Sequence, residues 1–261
     1  QDEGKEDMVE ISIKELIDQG KIMKIHAYWL AEFFNWMQEQ VGLSYENLRV
    51  REHVSTELSH YSAGTFDIDY KYPFGFKEML GMANRTNYDL KQHMEHSKQN
   101  LEYFDETTKE KVIPHVIEPS VGVERLMMAA ICEAYEEDEK RGNTVLKFKP
   151  QLSPYKVAIF PLMNKAELTE VARGLYDEFI DEDIIAYYDK TGSIGKRYAR
   201  QDEIGTPYCI TIDYETIEEG NKRGTVTIRD RNSTEQKRID IKTLSGVIKE
   251  LIKERIKFEN L

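Results

Sequence analysis

Phe66, Ile68, Tyr70 and Tyr72 alternate with Asp67, Asp69 and Lys71. Successive side chains of a strand point to opposite faces, so this period of two predicts a strand with one apolar and one charged face. Pro73 and Gly75 follow as a turn, and Phe76 to Arg85 reads as a second strand. Two strands joined so tightly must pair antiparallel, and their apolar side needs a cover. Val112 to Glu118 reads as a third strand, with Val112, Val116 and Glu118 on one face. From Lys24 to Gln40 the pattern is helical, with Ile25, Tyr28, Trp29, Ala31, Phe33 and Trp36 as a wide apolar side and Gly42 as its stop. The first part of the chain is therefore expected to be α+β, an antiparallel sheet with a helix behind it.

Residues 1–10 read as an acidic lead-in, 11–18 as a short helix ended by Gly20, and 88–100 as loop or short helix. Gly122 opens a helix that runs to about Glu137, and the stretch EEDEKRGNT (136–144) reads as a charged surface segment. PQLSPY (150–155), with two prolines, reads as a linker between domains 1–150 and 155–261. Beyond it strands and helices alternate. Strands are expected at Val157–Phe160, Ile184–Tyr188, 207–214, 224–230 and 234–239, and helices at 165–179, 194–203 and 241–257. That order predicts an α/β domain with a mixed sheet.

Composition narrows the function classes. Of 261 residues 32% are charged and 40% hydrophobic, enough apolar material for a real core. No apolar run is long enough to cross a bilayer as a helix. The net charge of −12 argues against a protein that coats polyanions. Residues 155–261 are nearer neutral, with 18 Lys and Arg against 20 Asp and Glu and a basic cluster at Lys196, Arg197 and Arg200. Cys132 and Cys209 form neither a metal pattern nor a disulfide framework, which suits a reducing cytoplasm. No spacing among the histidines selects a metal. His93 and His96, three apart, read as a solvated helix face.

Three side chains carry possible chemistry. Glu78 shares an expected face with Leu80 and Met82, and Glu118 shares one with Val112 and Val116. A carboxylate among apolar neighbours needs a cation, a metal or hydrogen-bond donors. Structural salt bridges would satisfy both; so would a polar cavity into which both point. Arg125 lies in the first turn of the helix after Gly122. It can pair with Glu118 or Glu124. It can also fork onto phosphate beside the helix N-terminus, where Gly122 permits close approach.

VIEPSVGVERL (116–126) resembles motif 3 of the class II aminoacyl-tRNA synthetases in its glycyl-tRNA synthetase form. KEMLGMANRTNYDLKQH (77–93) and LSHYSAGTFDIDYKYPFG (58–75) are similar to the strands that precede it in that family. DKTGSIGKRYARQDEIGTPYCIT (189–211) and VTIRDRNSTEQKR (226–238) resemble its C-terminal anticodon-binding domain. The resemblance implies part of a class II antiparallel catalytic core followed by that domain, in a cytoplasmic homodimer that joins glycine to glycine tRNA with ATP and Mg²⁺. It places Glu78, Met79, Gly122, Val123, Glu124 and Arg125 at ATP, with Glu78 near the metal and Arg125 on the terminal phosphates. Glu118, Pro119, Ser120, Val121 and Gly122 would hold glycine, the first by its ammonium group. In the second domain Arg200, Asp202, Glu203, Arg229, Asp230 and Arg231 would read the anticodon.

The chain departs from the pattern at Asn84 and Asn232, where the family usually has Asp, and Glu124 stands at a variable motif 3 position. Motifs 1 and 2 have no counterpart in residues 1–60, so the chain is expected to be a C-terminal portion that does not activate glycine alone. The competing reading is a non-enzymatic synthetase-like tRNA-binding or accessory protein.

Overall fold

The computed structural model describes residues 10–53 and 62–261. The acidic lead-in to residue 9 and the start of the 58–75 block, with His60, lie outside the described residues. Two compact units emerge, residues 1–39 with 43–129, and residues 40–42 with 130–261. No described helix is long and apolar enough to cross a membrane.

In the first unit α1 (Ile13–Asp18) starts at Ser12, whose hydroxyl accepts from the Glu15 N–H at 3.2 Å while the Glu15 carboxylate accepts from the Ser12 N–H at 2.9 Å. The next helix, α2 (Lys24–Trp36), closes with a π-turn at Met37–Val41. It buries His26, Ala27 and Leu30 and leaves Ile25, Tyr28, Trp29 and Trp36 exposed, so the covered side is narrower than, and offset from, the expected one. Strand β1 (Leu48–Glu52) was not read from the sequence. With β2 (Gly64–Tyr72), β3 (Gly75–Asn84) and a later strand it forms an antiparallel sheet. Helix α3 (Tyr88–Ser97) follows.

The expected third strand is corrected. Lys111–Val112 (β5) pairs with Tyr103–Phe104 (β4), and the strand that joins the sheet is β6, Ile117–Val121. Val112 and Glu118 thus belong to different sheets. Pro114, which has no N–H for a ladder, lies in the break between them. The sheet order is β1-β2-β3-β6, with Pro119 on an outer strand, where proline is tolerated.

Helix α4 runs from Val123 to Ala134, shorter than expected. The charged segment after it is also corrected: β7 (Tyr135–Asp138) and β8 (Asn143–Leu146) form a hairpin. Its turn is tied by the Lys140 and Arg141 N–H groups, both donating to Asp138 Oδ1 at 3.0 Å.

The rest of the second unit alternates as expected: β9 (Val157–Pro161), α5 (Ala166–Asp181), β10 (Ala186–Tyr188), α6 (Ile194–Ile204), β11 (Tyr208–Ile212), a short α7 (Tyr214–Ile217), β12 (Thr225–Asp230), β13 (Gln236–Asp240) and α8 (Ile241–Ile252). The sheet is mixed, in the order β10-β9-β11-β12-β13, with β9 parallel to both neighbours and the remaining pairs antiparallel. The chain leaves β9 toward one side for β10 and returns across it to β11. Right-handed crossovers then put α5 and α6 on opposite faces. The α5 face carries the larger core, where Leu168, Ala172, Leu175 and Phe179 of α5 and Leu244, Ile248 and Leu251 of α8 pack on Val157, Ile159, Ile210, Val226 and Ile228. The α6 face has only a small apolar cluster, Ala158, Phe160 and Cys209, with Ile194 and Tyr198 against it.

Two positions make this packing testable. Gly205 ends α6 at φ +88°, and a Cβ there would sit 2.6 Å from Phe148 and 2.8 Å from the Leu146 carbonyl oxygen. The left-handed backbone alone costs alanine about 1–2 kcal/mol. Gly205→Ala should therefore lower the urea midpoint of the second unit, and an unchanged midpoint would contradict this packing. In the first unit buried His26 donates from Nε2 to the Met82 carbonyl at 3.1 Å and meets Phe66 edge-on. Burial holds its pKa below the usual 6.5 despite that bond. The unfolded chain then takes up the proton first, so stability is full above about pH 6.5 and falls below it toward the folded pKa. His26→Gln should flatten this part of the stability–pH curve between pH 7 and 5.5, read by denaturant titration at each pH.

Candidate functional site

The first sheet has one apolar and one charged face, and the register decides what the charged face holds. Arg49 pairs with Asp69, and Arg51 with Asp67. Asp67 is opposite Gly81, and Asp69 is opposite Glu78. Gly81 is opposite Ser120, and Ala83 is opposite Glu118. Directly opposed residues share a face, so Arg49, Arg51, Asp67, Asp69, Glu78, Ser120 and Glu118 all lie on one side.

Glu78 reaches that side because of a bulge. Ile68 is opposite Leu80 but Asp69 is opposite Glu78, which leaves Met79 as an extra residue. The expected grouping of Glu78 with Leu80 and Met82 is therefore corrected: one inserted residue turns Glu78 to the other face. Met79 itself is 1% exposed. Its side chain packs away from solvent, and its carbonyl accepts from the Gly122 N–H at 3.2 Å.

Asp67 and Asp69 are almost wholly buried. The Arg49 Nε donates to Asp69 Oδ2 at 2.9 Å. Arg51 and His53 both bond Asp67 Oδ2, His53 at 2.7 Å. Asp69 Oδ1 has no hydrogen-bond partner among the described residues. A cavity of about 580 Å³ opens beside these groups. Arg49, Arg51, Lys77 and Arg125 line it against Asp69 and Glu78, with Tyr72, Phe74 and Phe76 as an aromatic wall. Its size is in the range of small-molecule sites, and its cations outnumber its acids, which suits an anionic ligand. Arg49 stacks over Phe76 at 4.4 Å, and this fixes one of those cations.

Arg125 reaches the cavity from α4. Its Nη1 donates to the Glu78 carbonyl at 2.6 Å and lies 3.9 Å from Glu78 Oε2, and its side chain stays 56% exposed. The Tyr72 hydroxyl donates to the Arg125 carbonyl at 2.9 Å and so anchors the helix start. Glu118 and Ser120 share the charged face but do not line this cavity. Glu118 binds Arg85, whose Nη1 donates to Oε2 at 2.8 Å. Arg85 also forks onto Asp89 at 2.6 and 2.9 Å, and these bonds, first to Asp89 and then to Glu118, raise its pKa further above its ordinary value. Pro119 is opposite Met82 and Val121 opposite Leu80, so both alternate onto the apolar face. Val123 and Glu124 are exposed on the first turn of α4, where the Glu124 charge favours the helix N-terminus. The sequence reading missed Arg49, Arg51, Arg85 and Asp89. Leu48 and Val50 alternating with Arg49 and Arg51 were the available signal for the first two.

In the second unit three of the six expected anticodon residues turn inward. Asp202 is 2% exposed and takes both Nη atoms of Arg229, at 2.8 and 2.9 Å, with Arg141 at 3.3 Å. Arg231 is 1% exposed and donates to the carbonyls of Gly205 at 2.5 Å and Phe148 at 2.7 Å. Burial pushes its pKa down to about 10, which leaves it charged at neutral pH. Burial opposes the charge of Arg229 as well, but its bonds to Asp202 hold its pKa above the ordinary value. Asp230 accepts from the Ser233 N–H and hydroxyl at 2.7 and 2.8 Å, and Arg200 is tied to Asp189 and the Thr191 carbonyl. Asp202, Arg229 and Arg231 therefore cannot fork onto bases without leaving the core. Glu203 is exposed, and the Arg200 side chain is 42% exposed.

Residues 156–251 match the anticodon binding domain family. Glycine–tRNA ligase of Borreliella burgdorferi is 50% identical over 227 residues, 85% of this chain and 50% of that protein. The glycine–tRNA ligase of Caldanaerobacter subterraneus is 50% identical over 236 residues, 90% of this chain and 50% of its own. That of Bacillus cereus is 46% identical over 235 residues, covering 89% of this chain and 50% of its own. Over 85–90% of its length the chain is thus similar to glycine–tRNA ligases. It spans about half the length of the curated relatives it matches.

Replacing Arg229 leaves the buried Asp202 carboxylate with Arg141 alone, and breaking a buried pair costs about 3–5 kcal/mol. Arg229→Ala should lower the unfolding free energy of the second unit by that order in urea titration. Glu203→Ala should leave it within about 0.5 kcal/mol. Equal stability of both variants would contradict the buried network.

Proposed function

We propose that this chain serves a glycine–tRNA ligase that activates glycine with ATP and transfers it to glycine tRNA. The observation that carries the reading is the charged sheet face. It sets a carboxylate and a hydroxyl, Glu118 and Ser120, on the same side as a cation-rich cavity entered by Arg125 and Glu78. The similarity to glycine–tRNA ligases across both units supports it.

In this reading the first unit is part of a class II catalytic core. The glycine ammonium donates to Glu118, which Arg85 and Asp89 hold in place, and Ser120 adds a hydrogen bond. Arg125, fixed at the Glu78 carbonyl, grips the terminal phosphates of ATP, with Arg49 and Arg51 adding positive field around them. A glycine carboxylate oxygen attacks the α-phosphorus in line, the bond to the bridging oxygen breaks, and pyrophosphate leaves. The terminal ribose hydroxyl of the tRNA then attacks the carbonyl carbon of glycyl-adenylate, loses its proton and expels AMP. The protein contributes orientation and charge neutralisation rather than covalent chemistry.

No cluster of three or more His, Cys, Asp or Glu side chains that could hold a metal occurs among the described residues. A magnesium ion carried in by a triphosphate does not need one, because it binds through one or two carboxylates together with phosphates and water. Glu78, half-exposed at the cavity, and the unpartnered Oδ1 of Asp69 are suitable oxygens for it. When bound, such an ion neutralises phosphate charge. The partner of the second unit is then the anticodon arm of the tRNA.

The test is glycine-dependent ATP–pyrophosphate exchange and charging of glycine tRNA by the complete gene product. Glu118→Gln should reduce kcat/KM for glycine by about tenfold or more, since a hydrogen bond between charged groups is worth about 1.5–3 kcal/mol. It should leave the KM for ATP nearly unchanged. Arg125→Ala should raise the KM for ATP instead. Exchange driven by another amino acid, or glycine use indifferent to Glu118, would overturn the reading.

A further inference from the structure

Glycine inside a strand weakens it and gives neighbouring side chains nothing to pack on. Gly64 and Gly75 begin β2 and β3, but Gly81 lies well inside β3, opposite Asp67 on one side and Ser120 on the other. Two demands of the fold could call for glycine there. One is a left-handed backbone, yet Gly81 is not among the glycines with positive φ. The other is crowding. Among the described residues an added Cβ would meet Asp67 Oδ1 and Glu78 Oε1, each at 3.5 Å, which is ordinary contact. The fold therefore has room for alanine at this position. What remains is the third use of glycine in a strand interior, the close approach of a ligand to the backbone.

The gap over Gly81 opens on the charged face, between two groups of residues. On one side Glu78 and Arg51 line the cation-rich cavity that Arg125 enters. On the other, Ser120 is directly opposite Gly81, and Glu118 comes one alternation further along, opposite Ala83. Ala83 is the next residue of β3 on this face, so the floor stays low toward Glu118 as well. The two carboxylates beside the gap already have cations. Arg51 bonds Asp67, and Arg125 Nη1 lies 3.9 Å from Glu78 Oε2. An anionic group can lie over Gly81 without facing uncompensated negative charge. The bulge at Met79 completes the arrangement, because it is what turns Glu78 to the edge of the gap.

We propose that Gly81 is a substrate-positioning residue whose bare backbone forms the floor on which the carboxylate of glycine meets the α-phosphate of ATP. The assignment rests on the ligase reading above and refines it. In that reading Glu118 and Ser120 hold the ammonium end of glycine, and Arg125 holds the terminal phosphates. The atoms that join these two ends must cross the strand position between them, and that position is Gly81. A methyl group there would occupy space that the protein leaves open, so it would displace the ligand rather than a neighbouring side chain. In-line attack tolerates little displacement, since the reacting atoms must lie about 3–3.5 Å apart and in alignment. The weakness that glycine brings to the strand is thus accepted at the one place where the two substrates pass closest to it.

The test pairs a stability measurement with two ligand measurements on Gly81→Ala. In urea titration of this chain the variant should have a midpoint equal to or above that of the unaltered protein, because alanine suits a strand interior better than glycine. In the complete gene product it should bind an unreactive glycyl-adenylate analogue, with a sulfamate in place of the phosphate, roughly tenfold or more weakly, as expected of overfilling a fitted site. Glycine-dependent ATP–pyrophosphate exchange should fall by at least the same factor. A lowered urea midpoint would show that Gly81 serves packing and would overturn the assignment. So would a variant that binds the analogue and exchanges pyrophosphate as the unaltered protein does, and in that case the ligase reading stands. If the unaltered gene product shows no glycine-dependent exchange, the ligase reading itself fails and this assignment with it.

Discussion

Two carboxylates taken out of water, Asp67 and Asp69 at the centre of the first sheet, set the terms for everything around them. A buried charge costs several kcal/mol unless cations and donors meet it. Arg49, Arg51 and His53 meet these two from the neighbouring strand, and that strand is thereby held at the sheet edge in one register. Because a one-residue slip would turn every side chain to the other face, the same ion pairs fix which groups look into the cavity. The chemistry proposed for Glu78 and Glu118 depends on an arrangement that neither of them makes.

The elements were legible where one physical rule governs a whole segment. Leu168, Ala172, Leu175 and Phe179 recur at helical spacing, and α5 lies close to where that spacing puts it. The alternation through Tyr72 gave β2 with both faces assigned correctly. What could not be read was any property set by a partner distant in sequence. The bulge at Met79 follows from the pairing of β3 with β2, so counting alternate residues from Leu80 placed Glu78 on the wrong side. Charge runs hid their roles for the same reason. RDR at 229–231 looks identical whether it faces solvent or Asp202, and only the packing of α6 against β12 decides.

The two sheets handle charge in different ways. In the first, the ion pairs border an open cavity, and one buried oxygen of Asp69 is left without a partner among the described residues. In the second, Asp202 is satisfied on all sides and Arg231 spends its donors on backbone carbonyls. Incomplete satisfaction beside a cavity is what a ligand can complete; complete satisfaction in a core is what holds a scaffold still.

The hairpin of β7 and β8 bears on how this protein could be divided. The proline-bearing stretch at 150–155 is an inviting place to cut, and the anticodon-binding match begins just after it. Yet Arg141, in the turn of that hairpin, donates to the carbonyls of Arg231 and Asn232 at 2.7 and 2.8 Å, and Phe148 receives a bond from Arg231. An excised domain starting at residue 155 would lose these tethers and uncover the Phe148 side of Gly205. The compact second unit therefore extends further toward the amino end than the matched stretch and takes in the hairpin.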